Sequence, residues 1–172
     1  MEKPDHPVTG VSWDDAGEFC RWLSAENKAI YTLPTEAEWE KAARGPEGNI
    51  FPWGNSWKPE NCNAEGRVGT TTPVNFFETL NTSYYKVVDM AGNVFEWTST
   101  TIGNSEAFPS KYVYPYQMDD GREDPEAKTR RVGRGGSYAR GEAYCRGAFR
   151  FADLPTDRYL TQGFRVGRRE KG

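Results

Sequence analysis

Helical periodicity in this chain stops at Gly45. Ahead of that glycine lie two stretches written for helices; behind it the pattern breaks into turns and short extended runs. In the first stretch Ser12 can cap an N-terminus and Asp15 can answer it at the third position, which predicts a helix from about Trp13. Its apolar residues Ala16, Phe19, Cys20 and Leu23 fall at i, i+3, i+4 and i+7, with Trp22 flanking the same face, so Cys20 is expected in the core. Leu33-Pro-Thr-Glu-Ala-Glu-Trp repeats the device, with Thr35 as cap, Glu38 closing the box, Trp39, Ala42 and Ala43 inward, and Gly45 as the stop.

A chain with 18 Gly and 11 Pro spread along it excludes long helices elsewhere and favours a loop-rich α+β fold. Only 36% of residues are hydrophobic, but 14% are aromatic, and those rings can supply the buried area that few aliphatics cannot. At 172 residues a single domain over the whole chain is expected, burying about 70% of its unfolded surface. Phe51-Pro-Trp-Gly-Asn55 carries too many breakers for regular structure, and Thr70 to Asn75 reads as a short strand interrupted by Pro73. Val87 to Asp89 reads as a strand entry, followed by a tight turn at Ala91-Gly-Asn93 and a second strand from Val94. The alternation of Tyr112, Tyr114 and Tyr116 suits a strand, and Asp119 to Glu126 a solvated loop.

A net charge of -3 argues against nucleic acid as a partner, although Arg165 to Lys171 is locally basic. No apolar run approaches the ~20 residues of a membrane span, and Met1 opens a polar stretch without a signal-peptide core, so a soluble chain without membrane insertion is expected. Cys20, Cys62 and Cys145 are odd in number and far apart, which implies no disulfide framework. One histidine, His6, and no Cys-x-x-Cys pair leave no familiar zinc or iron spacing.

Two regions carry the candidate chemistry. Asp89 and Glu96 stand on either side of the Ala91-Gly-Asn93 turn with its exposed carbonyls, a layout that suits calcium; the alternative is that Glu96 accepts a salt bridge from a later arginine. From Gly135 to Val166 the chain reads in two layers. Gly135, Gly136 and Gly163 supply backbone freedom, and Arg146, Arg150 and Arg165 are forked donors able to clamp carbonyls or carboxylates. Between them runs a set with neither helical nor strand period: Ala139, Arg140, Gly141, Tyr144, Phe149, Phe151, Ala152, Leu154, Asp157, Tyr159, Leu160 and Thr161. Firm framework around a chemically mixed interior is the signature of a binding surface held on a scaffold.

Val8-Thr-Gly-Val-Ser-Trp-Asp-Asp-Ala16, Leu33-Pro-Thr-Glu-Ala-Glu-Trp-Glu40, Phe51-Pro-Trp-Gly-Asn55, Asp89-Met-Ala-Gly-Asn-Val-Phe-Glu-Trp-Thr98, Arg134-Gly-Gly-Ser-Tyr138 and Gly163-Phe-Arg-Val166 together resemble the formylglycine-generating enzyme (sulfatase-modifying factor) superfamily. The resemblance is ordered and covers most of the chain. It implies an irregular C-type-lectin-like fold, two helices against small antiparallel sheets, without the strand-rich N-terminal section usual in such domains. It also implies a calcium site made by the Asp89 side chain, the Gly92 and Val94 carbonyls and the Glu96 side chain; a second family site near Asn63 and Ala64 lacks its acid here.

Members that oxidise cysteine to formylglycine hold copper with two cysteines of the Gly-Gly-Ser-Tyr segment. Counted from Gly135, the second falls on Cys145 and the first on Arg140, so no copper is expected. Two thiolates bind a soft Cu(I) ion linearly, whereas a thiolate beside a guanidinium does not. This predicts that the chain is not an enzyme. The related sulfoxide synthases need histidine-bound iron, and His6 is the single histidine.

A second branch, the variable proteins of diversity-generating retroelements, resembles the chain more in kind. There a C-type-lectin-like domain carries a mutable C-terminal surface, and randomised adenines of Asn codons ending in a fixed C cannot yield Lys, Glu, Gln, Met or Trp. None of these occurs among the twelve aperiodic positions of the Gly135 to Val166 stretch. At average composition such an outcome arises by chance roughly one time in fifteen. Glu142 and Gln162 would then be framework. The resemblance implies a ligand-binding module, its region at 135–166 facing a protein or cell-surface ligand, and display on a virus or cell through a partner. The alternatives are a formylglycine-type copper oxidase acting on sulfatase cysteines and a non-catalytic regulatory domain.

Overall fold

Both capping boxes form. In this computed structural model, which describes residues 3–104, 106 and 108–170, Ser12 Oγ accepts from Asp15 N at 3.1 Å while Ser12 N donates to Asp15 at 2.9 Å. They open α1, Trp13–Asn27, which ends in a left-handed residue, Lys28. Thr35 and Glu38 exchange the same pair of bonds at the head of α2, Glu36–Arg44, and Gly45 with φ 66 ends it. Met1 and Lys171, which bounded the reading of the termini, lie outside the described residues.

The remaining elements are short: β1 Ile30–Thr32, a 3-10 turn Pro59–Asn61, β2 Phe95–Thr101, β3 Arg131–Arg134, α3 Glu142–Cys145, β4 Phe151–Asp153, β5 Gln162–Phe164 and β6 Gly167–Arg169. β1 and β6 pair antiparallel, tying the link between α1 and α2 to the last strand. The main sheet runs β4-β3-β2-β5. Its β2–β5 pair is parallel, Phe95 opposite Gln162 and Trp97 opposite Phe164, so the expectation of purely antiparallel sheets is corrected. The long excursion from β4 around residues 154–161 brings β5 back in the same direction as β2.

The core is built on two tryptophans. Trp97 packs with Ala16, Cys20 and Leu33, and Trp39 with Ala43 and Met90. Each such ring removes about 150–250 Å² from water, roughly 4–6 kcal/mol of apolar burial. Their indole N–H groups are served: Trp97 donates to Val11 O at 3.1 Å and Trp39 to Glu96 at 2.6 Å. Cys20 is buried as its spacing predicts, but Phe19 and Trp22 are largely exposed and rest on each other, ring centroids 5.4 Å apart. The stripe of α1 that meets the core is Trp13, Ala16 and Cys20, and the rings of Phe19 and Trp22 fall outside it.

Three extended runs read from the sequence are not strands. Thr70 to Asn75 has no ladder because a side chain replaces one: Thr72 N donates to Asn93 Oδ1 at 3.0 Å and Asn93 Nδ2 to Thr72 O at 3.2 Å. Val87 to Asp89 makes one isolated pairing, Val88 with Thr82, and Asp89 breaks it with φ 58. Tyr112 to Tyr116 wraps an arginine, the Arg122 guanidinium lying 5.5 Å from the Tyr112 centroid and 4.5 Å from that of Tyr116. Nor is the acidic run merely solvated. Glu123 accepts from Ser99 and Thr100 at 2.5 Å and from Tyr116 at 2.7 Å, pinning this excursion to β2.

Buried arginines replace the missing regular structure. Arg131, fully buried, donates to the carbonyls of Ser99, Pro125 and Ala127 at 2.9–3.0 Å and lies 3.8 Å from the Trp13 ring centroid. Arg134 donates to Gly147 O at 3.0 Å and Phe149 O at 2.7 Å, and pairs with Glu40 and Glu36 of α2. Arg150 also pairs with Glu36, at 2.5 Å. Arg146, expected as a clamp, is exposed and reaches only Ala143 O within its own turn. The guanidinium fork is worth most where several carbonyls are out of reach of water, and residue 146 is not such a place.

Candidate functional site

The Gly135–Gly136 corner sets the direction of the C-terminal face. Both glycines have positive φ, and a Cβ on Gly136 would meet the Cys145 sulfur at 2.9 Å, so the chain can turn from β3 into α3 only without side chains there. Gly163 is needed for another reason: its φ is ordinary, but a Cβ would sit 2.3 Å from Val8 O. Arg134 then holds the return through 147–149 from beneath, and β4 carries the chain across the sheet.

On that support a cavity of about 250 Å³ opens, lined by Phe95, Arg140, Tyr144, Phe151, Asp153, Tyr159, Thr161 and Gln162. Phe95 and Phe151 stack with centroids 4.9 Å apart, Phe149 joins Tyr144 at 4.8 Å, and the Arg140 guanidinium lies 5.3 Å from the Tyr144 ring. Asp153, paired with Arg130 at 2.8 Å, has its carboxyl pushed up, by burial first and by the neighbouring Asp157 next. Burial and the same two acids raise the Tyr159 phenol. The arrangement offers an aromatic wall, an exposed guanidinium and a buried acid, which is the chemistry of recognition.

Of the twelve aperiodic residues, five border this cavity: Arg140, Tyr144, Phe151, Tyr159 and Thr161. Phe149 is attached through its rings, Ala139 and Leu154 are exposed, and Gly141 is the half-exposed residue before α3. Asp157 is half-buried and accepts from Leu154 N at 3.2 Å. Leu160, 73% exposed, borders an adjoining cleft with His6 and Tyr138 instead. Ala152 does not belong to the surface. It is buried with Ile102 and Val132, because the alternation of β4 that presents Phe151 to the cavity turns its neighbour to the other side. Sequence reasoning missed Phe95, Asp153 and Gln162 as lining; the parallel register that sets Phe95 against Gln162 has no local signal. Gln162 is buried in β5 and Glu142 is exposed at the start of α3.

The Asp89 to Glu96 turn borders a second cavity, about 430 Å³, lined among others by Asp89, Gly92, Asn93, Val94, Glu96 and Arg165. Gly92 has φ 76, and a Cβ there would lie 2.4 Å from Asn63 O, so only glycine fits. Two observations bear on a cation. Asp89 Oδ2 is buried with no hydrogen-bond partner, and the carboxyl is pushed up to about 6 by burial and by Glu96, as for a charge awaiting a counter-ion. Glu96, however, is already held by Arg165 at 2.5 and 2.6 Å and by Trp39, the salt bridge that formed the alternative reading. Asp89 therefore fits a calcium ligand, and Glu96 would share its carboxylate with Arg165. His, Cys, Asp and Glu form no cluster of three with metal-binding geometry among the described residues.

Arg140 is exposed, away from Cys145, which is fully buried. Cys145 is nonetheless not solitary. It shares an apolar cluster with Phe51, Cys62, Ala64 and Ala91, and a hydrogen bond between the two thiols, together with burial, pushes Cys62 far up. Eighty-odd residues of intervening chain hid this contact from sequence reasoning.

Among the described residues no helix is long and apolar enough to cross a membrane. Across 112 aligned positions the chain is 41% identical to a mouse protein named inactive C-alpha-formylglycine-generating enzyme 2, covering 58% of this chain and 34% of the relative. It is 33% identical over 186 positions to the bovine formylglycine-generating enzyme, covering 96% of this chain and 44% of the enzyme. The chain thus spans between a third and a half of these relatives, one of them carrying an inactive member's name. Among solved structures, Treponema denticola variable protein 1 superposes with a TM-score of 0.77 over 96% of this chain and 72% of that one, at 24% identity, a likeness of fold. The α+β architecture is accordingly the C-type-lectin-like one of this superfamily. Residues 1–170 match the model of the sulfatase-modifying factor enzyme 1-like domain, and the chain belongs to that family.

Proposed function

We propose that this domain is a ligand-binding module, without formylglycine-generating activity, whose face within 135–166 receives a protein or cell-surface ligand and is diversified as in the variable proteins of diversity-generating retroelements. One observation carries the reading: Arg140, Tyr144, Phe151, Tyr159 and Thr161, scattered over 22 positions, converge on one cavity. Beneath them Arg134, Val132 and Trp97 are buried and belong to the sheet, so what faces the ligand is separable from what holds the fold. Tyr and Phe on such a platform give contact area at low conformational cost. The fold shared with a protein named a variable protein supports the same reading. Calcium, held by Asp89 with the Gly92 and Val94 carbonyls and a shared Glu96, would stiffen the turn that leads into β2. Display on a virus or cell through a partner fits a module of this kind, and neither nucleic acid nor membrane insertion is part of the proposal.

The oxidase reading finds less support. Arg140 stands where the resemblance requires the first copper thiol, and the two cysteines that share a cluster, Cys62 and Cys145, are both buried and neither lines the cavity.

The coding sequence tests diversification directly. A nearby near-identical repeat should differ from codons 139–161 only where it carries adenines; differences spread over other bases, or no repeat, would remove that part. Binding is tested separately: joint Tyr144→Ser and Tyr159→Ser should leave the melt unchanged and abolish capture of whatever purified ligand the parent retains.

A further inference from the structure

We propose that Cys62 and Cys145 are a modification site, closing to an intrachain disulfide when the protein meets a peroxide. The two residues are far apart in sequence, one directly after the 3-10 turn and the other at the end of α3. Both are buried, at 3% and 0% exposure, in a cluster whose other members include the small Ala64 and Ala91. Within that cluster the Cys145 thiol is the first cause that pushes the Cys62 thiol up, ahead of burial. On the far side Cys145 Sγ is backed by Gly136, where any Cβ would lie 2.9 Å away, so the sulfur is seated by its neighbours. The third cysteine, Cys20, sits in a different cluster under α1, which leaves one possible pairing.

An oxidant has a way in. Cys62 borders a surface cleft of about 300 Å³ together with Pro59, Glu60, Arg67, Val68 and Phe77. The partner thiol, burial and Glu65 oppose the Cys62 thiolate and only the Arg67 guanidinium favours it, so the reaction should be slow; Cys62 should react first because it borders the cleft and Cys145 does not. In the first step the Cys62 thiolate attacks a peroxide oxygen; an S–O bond forms, the O–O bond breaks and hydroxide leaves. The Cys145 sulfur then displaces hydroxide from the Cys62 sulfenic acid, forming the S–S bond. Two thiols and one hydrogen peroxide give one disulfide and two waters. Neither step draws on the cavity residues.

The consequence reaches the C-terminal face. α3 carries Tyr144, which lines the cavity, and Cys145 is the next residue. A covalent bond from Cys145 to the 3-10 turn would anchor α3 at both ends, since Gly136 and Arg134 already fix its approach. It would also close a long loop, the case in which a cross-link most restricts the unfolded chain.

The experiment is a thiol count on the intact chain. Native protein is incubated with hydrogen peroxide at pH 8, quenched with catalase, denatured and titrated with a thiol reagent. The three thiols of the reduced chain should fall to one, with Cys62 and Cys145 peptides cross-linked by mass spectrometry and a higher Tm that dithiothreitol reverses. Cys62→Ser and Cys145→Ser should each keep two titratable thiols after mild oxidant and show no rise in Tm. A count that stays at three, Cys62 carried on to sulfinic acid without a cross-link, or a cross-link that uses Cys20 would each overturn the proposal.

Discussion

Arg134 shows how much of this fold depends on single side chains. It is fully buried, joins α2 to the 147–149 return through Glu40, Glu36 and two carbonyls, and stands under the C-terminal face. Replacing it with Met leaves the Gly147 and Phe149 carbonyls without their donor, while Glu36 keeps Arg150 and Glu40 keeps Arg44, so a loss of about 2–4 kcal/mol is expected in chemical denaturation. Arg146→Ala should stay within about 0.5 kcal/mol, since only an exposed local bond is lost. Equal losses would show that the division between clamp and surface arginine is misdrawn. Asp89 is the other decisive residue. If it holds calcium, chelation lowers the Tm of the parent and Asp89→Asn no longer responds; a parent melt indifferent to chelator counts against the ion. Asp89→Asn is the sharper variant, because Glu96→Ala would also strand Arg165.

At the scale of elements, α1 is the tether of the loop that carries Leu154 to Thr161. Trp13 N donates to Pro155 O at 3.0 Å, and Asp15, already the acid of the capping box, is paired with Arg158. Hydrogen bonds from Arg158 and from the Ser12 backbone hold the Asp15 carboxyl at about 2, well below its ordinary value. A depressed acid contributes stability that is present above the unfolded pKa near 4 and is lost as pH falls through the folded one. Hydrogen exchange in 154–160 should therefore accelerate as pH falls from about 4 towards 2, after correction for the intrinsic rate. Asp15→Asn should show the faster exchange already at neutral pH. A loop equally protected in the variant would mean that the Pro155 carbonyl bond alone holds it.

For the whole molecule, the separation of an aromatic face from a buried polar framework predicts what the domain does not do. A sulfatase-type Cys-x-Pro-x-Arg peptide, incubated with the protein and copper, should keep its thiol, because Arg140 occupies the position of one copper ligand in the resemblance. Conversion to the aldehyde, seen by mass spectrometry, would restore the oxidase reading. A half-buried face also has graded tolerance. Tyr144 and Tyr159 should accept substitution, whereas Phe151 stacks on buried Phe95 and its loss should cost stability as well as binding.

Local interactions decided what the sequence could announce. Two capping boxes, the Gly45 stop, the burial of Cys20 and the tight Gly135–Gly136 corner follow from periodicity, hydrogen bonds and steric limits that span a few residues. The resemblance extended this to family and fold. Tertiary structure decided the rest, wherever a partner lies far along the chain: Asn93 replacing a strand at Thr72, Arg122 gathering tyrosines that alternate like a strand, the parallel Phe95 and Gln162 pairing, Ala152 turned inward, and Cys62 delivered to Cys145. In a loop-rich domain those long-range polar contacts take the place of regular ladders, and nothing in a local period records them.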